Sequence, residues 1–501
     1  MGISTASIDE CLMSGGDERL ALDDVSGLNR YGHGVRPRAR ALAFGSSTAS
    51  TISPGAFKAA EALHRQLTEE LKTEEKSTVY ERGIASVRER LCATLGLVDI
   101  DVIIAASGTG IHMMLPQLLG DSGGKPLLAL APQGSETGSG VGAALRGRHF
   151  VARGCDGQPL TKGAELSSGG ETETIEFAVR DAHGGMCSEA ETEAQLETAI
   201  GGAERSGRRC LLVVADVSKT GLIAPSLATV LRLKKRWPDV LHVLIDACQF
   251  RLDPETIRAY LAHDFLVAIT GSKFVGGPIF SGALLCPPRL SRLLRDRPLP
   301  DSLRSYSVQA DWPTGWRARS HLAVGANWGL LLRWHAGLFE LTALHSIPSF
   351  LRVRAAAEFC GAVQKRLKED PAFAAVPVRP LDRSVLLNDR TGFDTTPTIL
   401  PFVLQTPLRT LTPEETAAVH RSLAMDDPER PVHLGQPVTL CTGRSALRLC
   451  LSAPLLVKAA QGPVGMRDVI GQAMEALDRA SQAAQRLTGE ADVFYRAAGR
   501  R

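Results

Sequence analysis

Five apolar runs of strand length, Val102–Ala106, Leu127–Ala131, Leu211–Ala215, Leu241–Ile245 and Phe265–Ile269, dominate the middle of the chain, and stretches of helix length separate most of them. A strand with one face in water alternates apolar and polar residues. Strands that are apolar throughout are buried on both faces, and with helices between them they form a parallel sheet covered on either side. The segments 191–205, 224–236 and 254–262 supply such helices. The expectation is an α/β fold with a mainly parallel sheet. Ligands of such sheets bind beyond the carboxyl ends of the strands.

The flanking regions read differently. Residues 1–45 look like an irregular arm, rich in turn formers around Leu28-Asn29-Arg30-Tyr31-Gly32-His33-Gly34. Helical spacing follows Ser53-Pro54, and a second helix is expected over Ile84–Leu95. Residues 155–175 read as a loop, and 288–325 as a Pro- and Arg-rich exit from the large domain. Helices are expected over Trp328–Leu344, Leu351–Leu367 and 465–487, with strands at Thr398–Leu404, Val438–Leu440 and Ala446–Leu451. The expected division is an arm (1–45), a large α/β domain (46–310) and a smaller C-terminal α+β domain (311–501).

Composition narrows the function. The 501 residues carry a net charge of only +3, in short scattered clusters, which argues against nucleic acid. Ten cysteines without a CxxC pair disfavour zinc sites and disulfides, so no metal is expected. No apolar run approaches the ~20 residues of a membrane span. The segment Met1–Asp9 lacks a signal-peptide core, and Ala6 stands where myristoylation wants a hydroxyl residue. A soluble, cytoplasmic protein is expected.

The chemistry lies at the strand ends. Ala106-Ser107-Gly108-Thr109-Gly110 follows the first run and opens a helix, where free N–H groups and the dipole favour a phosphate. The fourth run ends in Asp246-Ala247-Cys248-Gln249, and the fifth in Thr270-Gly271-Ser272-Lys273-Phe274. Only 12 of the 57 basic residues are lysines, yet one stands here beside two hydroxyls able to hold phosphate, Thr270 and Ser272. An acid and a partly desolvated lysine on neighbouring strand ends are what pyridoxal 5′-phosphate (PLP) requires. The amine forms an imine with its aldehyde, and the carboxylate keeps a proton on its pyridine nitrogen. Gln249 is placed to donate to the phenolate oxygen.

In this order the elements resemble fold-type I PLP enzymes, in particular the class V aminotransferase and cysteine desulfurase group. The resemblance spans roughly residues 45–455. It adds Ser218-Lys219-Thr220-Gly221, the turn before the central helix, and Ser445-Ala446-Leu447-Arg448, the arginine segment. It implies Lys273 as the imine lysine and proton shuttle, and Asp246 on the pyridine nitrogen. Gln249 and Ser218 would approach the phenolate oxygen, and Ser107, Gly108, Thr109, Thr270 and Ser272 the phosphate. Arg448 would hold the substrate α-carboxylate. It also implies a homodimer, with Arg317–Asn327 bringing a phosphate contact to the partner.

Departures from the group are informative. Ser272 replaces a histidine common before the lysine. The segment Gln133–Gly140, where relatives carry a ring that stacks on the cofactor, has none, which leaves Glu136, Thr137 or His112 for that position. The stretch Leu434–Val438 has no cysteine, which disfavours persulfide chemistry; Cys441 lies close by and Cys248 reads as packing. An aminotransferase acting on a small amino-acid substrate is expected. A PLP lyase (β-elimination, C–S cleavage or decarboxylation) uses the same parts, and a non-catalytic PLP-binding module is a third reading.

Overall fold

The computed structural model describes residues 3, 5–120, 127–166, 172–387, 392–407, 409–441 and 443–498, with 441 and 490–498 described through their backbone alone. Its strands are β1 (Leu42–Phe44), β2 (Asp101–Ala105), β3 (Leu128–Pro132), β4 (Glu173–Phe177), β5 (Cys210–Asp216), β6 (Ile223–Ala224), β7 (Leu241–Ala247), β8 (Leu266–Thr270), β9 (Gly282–Cys286), β10 (Phe373–Ala375), β11 (Ile399–Leu404), β12 (Val432–Cys441) and β13 (Arg444–Cys450). The five apolar runs are β2, β3, β5, β7 and β8. They lie in one large sheet of order β2-β9-β8-β7-β5-β3-β4, with β6 paired to β5. Successive residues of β5 show why the runs are continuous. Leu211 and Val213 join the apolar layer on one face, and Leu212 and Val214 the layer on the other. Each such buried side chain contributes about 1.5–3 kcal/mol.

Strands β4, β3, β5, β7 and β8 are mutually parallel. The antiparallel β9 lies between β8 and β2 and returns β2 to the common direction. The carboxyl ends of β2, β3, β5, β7 and β8 therefore open on one edge of the sheet. Two strands lacked an evident signal. Edge strand β4 exposes Glu173 and Glu176 and overlaps the stretch read as a loop, of which residues 167–171 lie outside the described residues. Strand β9 is a short buried run behind the Gly276-Gly277-Pro278 turn. Gly282 lets it pass the Ala106–Ser107 turn, since a Cβ there would meet the Ser107 carbonyl carbon at 2.9 Å.

A second sheet, β1-β12-β13-β11-β10, packs against the helices Ser349–Glu369, Pro413–Met425 and Pro463–Ala498. Its edge comes from the N-terminal stretch read as irregular, because β1 pairs in parallel with β12, Ala43 opposite His433. The same stretch contains a helix, Ile8–Leu12, closed by a Ser7/Glu10 capping box. The buried Arg333 ties this helix down by donating to the carbonyls of Leu12, Ser14 and Gly15. Among the described residues no helix is long and apolar enough to cross a membrane.

The docked N-terminal stretch is expected to respond to pH. Buried His33 lies 4.4 Å, ring to ring, from buried His433. Burial, then the charges of His433, His420 and Arg38, hold His33 well below the usual imidazole range. Burial, then Arg38 and His420, push His433 down to about 4. His420 is lowered by burial; its Nε2 is 3.1 Å from the Leu434 carbonyl, with Arg448 and Arg421 as its charged neighbours. Between pH 6.5 and about 4 the unfolded chain therefore binds protons that the folded chain refuses, and stability falls as pH falls. For His433 alone the loss is on the order of 3 kcal/mol. The urea midpoint should drop between pH 7 and 5, and His433→Gln should flatten that drop; a midpoint independent of pH would contradict this.

Candidate active site

A cavity of about 330 Å³ opens at the common carboxyl edge of the large sheet. Ser107, Gly108, Thr109, Ser218, Asp246, Gln249, Thr270, Ser272, Lys273 and Arg448 all line it. They come from the ends of β2, β5, β7 and β8, and from β13 of the second sheet.

Ser107 caps the helix Gly108–Leu119 by accepting from Gly110 N–H at 3.1 Å. The first-turn N–H groups of Gly108 and Thr109 have no intrahelical carbonyl, which leaves donors and a positive dipole end at the cavity. Gly108 is flush against β7's end, because a Cβ would lie 2.3 Å from Cys248 Sγ. Thr270 donates to the Cys248 carbonyl at 2.7 Å, and Ser272 to Thr270 Oγ1 at 3.2 Å, so both buried hydroxyls are held beside that turn.

Asp246 is the penultimate residue of β7, its side chain 14% exposed, and its Oδ2 is 3.3 Å from Nε2 of the buried His112. Burial alone would raise the Asp246 carboxyl, but His112 and Lys273 outweigh it and hold it well below the usual range. Burial likewise opposes charging His112; Asp246, with the Gly108 carbonyl 2.8 Å from Nδ1, raises its pKa nevertheless. The acid is thus kept ionised, with lone pairs to spare for a cationic ring nitrogen.

Lys273 follows β8 in the left-handed region, φ 55°. That conformation costs a non-glycine residue about 1–2 kcal/mol, and two hydrogen bonds to its carbonyl fix it here. Ser50 Oγ donates at 2.5 Å and Gly276 N–H at 3.1 Å. Arg448 is buried on β13 opposite Gly435. Its guanidinium donates to Gln436 O (2.6 Å), Thr48 Oγ1 (3.0 Å) and Lys219 O (3.2 Å), while its Nε has no partner. No carboxylate pairs with it among the described residues. Burial pushes its pKa down to about 10.

Two expected partners are partly committed. Ser218 donates its proton to Glu136 Oε2 at 2.7 Å. Gln249 donates from Nε2 to Ser47 O at 3.0 Å, and its buried Oε1 has no partner. Glu136 does not project a free charge at a ring. It is buried against Arg180 at 3.0 Å and accepts from Thr220 as well as Ser218, fixing the 218–221 turn. Residues 317–327 do not line this chain's cavity. Cys248 is the one cysteine among the described residues that does. The reading from sequence missed Ser47, Thr48, Arg19, Arg30 and Tyr31, which the N-terminal stretch brings to the cavity. It also left Lys219 without a role. No local pattern marks contacts made across that much chain.

No family model matches the chain, and no curated protein does. Solved structures do. The cystine C-S lyase C-DES with its reaction product cysteine persulfide matches with TM-score 0.53 and 18% identity, over 85% of this chain and 99% of that one. A C-DES variant with glycine covalently linked to the PLP cofactor matches with TM-score 0.54 and 16% identity, over 86% and 96%. A NifS-like protein from Rickettsia africae matches with TM-score 0.50 and 11% identity, over 87% and 99%. The chain has the fold of these proteins, the fold-type I architecture.

Proposed function

We propose that this chain is a PLP-dependent enzyme acting on an amino acid with a free α-carboxylate. The observation that carries the reading is one cavity lined by an ionised acid (Asp246), a positioned lysine (Lys273), a helix N-terminus flanked by hydroxyls (Ser107–Thr109, Thr270, Ser272) and a buried guanidinium without an anion (Arg448). These residues fit the cofactor by the chemistry of their donors. Buried polar atoms without partners also gather there: Ser47 Oγ, Gln249 Oε1 and Arg448 Nε.

Bound PLP would supply an electron sink for a carbanion at the substrate α-carbon. Ser107, Gly108, Thr109, Thr270 and Ser272 would hold its phosphate, and Gln249 and Ser218 would stand near its phenolate oxygen. Asp246, charged and backed by His112, holds a proton at the ring nitrogen. Arg448 binds the α-carboxylate and sets which substrate bond faces the ring. The Lys273 amine takes and returns the α-proton. The N-terminal stretch (Arg19, Arg30, Tyr31) closes one wall and limits water. A homodimer, with Arg317–Asn327 contributing to the partner's phosphate site, belongs to this reading.

A lysine placed to move the α-proton supports an aminotransferase as the leading reaction. A lyase is the second reading, supported by the shared fold with a C-S lyase. Product analysis on PLP-loaded protein decides. Transamination consumes an oxo acid and leaves aminated cofactor; elimination releases ammonia or a side-chain fragment without an acceptor; no change with any amino acid would leave only a binding module. Arg448→Ala is expected to lower kcat/KM by about 10- to 150-fold, mainly through KM, as a charge-assisted contact is lost. Arg448→Lys should restore little, lacking the planar fork. Unchanged KM in both variants would remove Arg448 from the substrate.

A further inference from the structure

The cavity's charges do not balance. Its lining cations are Arg19, Arg30, Lys219, Lys273 and Arg448, and its lining acids are Glu136 and Asp246. Arg19 is matched by Asp17 at 2.6 Å, Glu136 by Arg180, and Asp246 by His112. Among the described residues no carboxylate pairs with Arg30, Lys219 or Arg448. The phosphate-type turn lies at the ends of β2 and β8, and β7 separates β8 from β5 in the sheet. Lys219 instead follows β5, its ε-ammonium donates only to the Gly134 carbonyl at 3.2 Å, and its own carbonyl accepts from Arg448 at 3.2 Å. Lys219 and Arg448 are therefore neighbours in the cavity lining. Burial, then the charges of Arg448 and Lys273, push the Lys219 pKa down to about 8. Like charges held together this way are relieved by an anion between them. If Arg448 takes the α-carboxylate, Lys219 is left for the side chain, and exposed Arg30 lines the same cavity.

Resting on the function proposed above, we propose that Lys219, assisted by Arg30, is a specificity-determining residue that selects amino acids whose side chain ends in a second carboxylate. A lysine and an arginine at different depths recognise two acidic groups on one small molecule, where a neutral side chain would leave the ammonium without a partner.

Calorimetric titration of the PLP-loaded protein with glutarate, succinate and butyrate tests this. None carries an amino group, so binding is read without turnover. The dicarboxylates should bind at least about tenfold more tightly than butyrate. Lys219→Met should bring them within about twofold of butyrate while leaving butyrate unchanged, and Lys219→Arg should keep the preference. Equal binding of mono- and dicarboxylates by the parent, or an equal loss of both in Lys219→Met, overturns the proposal. So does loss of the cofactor's visible absorbance in Lys219→Met, which would place Lys219 in cofactor binding instead. A parent protein that shows no cofactor absorbance after loading overturns the proposed function, and the specificity role with it.

Discussion

Lys273→Ala is expected to lose turnover by about 10³-fold or more, since both the covalent anchor and the base for the α-proton depart together. The variant should stay folded. Lys273 is only partly buried, and its carbonyl bonds from Ser50 and Gly276 belong to the backbone and survive the substitution. Alanine at φ 55° carries about the same backbone strain as lysine. Circular dichroism and the urea midpoint should therefore match the parent, while visible absorbance of the loaded protein shifts or vanishes. A small external amine should restore part of the turnover, because it can serve as the missing base. Full activity in the folded variant would remove Lys273 from the chemistry.

Asp246→Asn is expected to reduce kcat by about 10²- to 10³-fold, comparable to removing a charged group aimed at developing charge in a dry site. The amide is nearly isosteric, and the Cys248 N–H, now 3.1 Å from Oδ1, can still be accepted by its carbonyl oxygen. The change thus removes the charge and little else. It also strips His112 of the carboxylate that offsets its burial, so the histidine should become neutral and the ring nitrogen lose its anionic support. Cofactor absorbance should persist with altered wavelength, and KM should move less than kcat. Unchanged kcat would show that Asp246 does not face the ring.

The parts legible in the sequence were those whose signal is local. A strand buried on both faces must be apolar throughout, so β2, β3, β5, β7 and β8 announced themselves within two residues of their ends. The residues at and just beyond their carboxyl ends, Ser107–Thr109, Asp246 and Thr270–Lys273, then followed from where parallel sheets open. Edge strand β4 was hidden because one of its faces is polar, and β9 because its short run follows a Gly-Pro turn. The wall built by Arg19, Arg30 and Tyr31 was illegible for another reason. Arg19, for one, is held by Asp17 and by the rings of Phe150 and Phe280, and the ring contacts are made across much of the chain, where no local pattern marks them. Likewise Glu136 is indistinguishable from a surface acid until Arg180, Ser218 and Thr220 are brought around it. Lys219 read as part of a turn; the structure shows it beside Arg448, and among the described residues no acid forms an ion pair with it.

The account stands on a PLP aldehyde joined to the Lys273 amine. Borohydride reduction of the PLP-loaded protein, followed by peptide mass spectrometry, measures that bond directly. The account predicts a phosphopyridoxyl group on the peptide containing Lys273 and none there when Lys273→Ala is treated alike. A label on Lys219 or another lysine with Lys273 unmodified, or no label after loading, would contradict it.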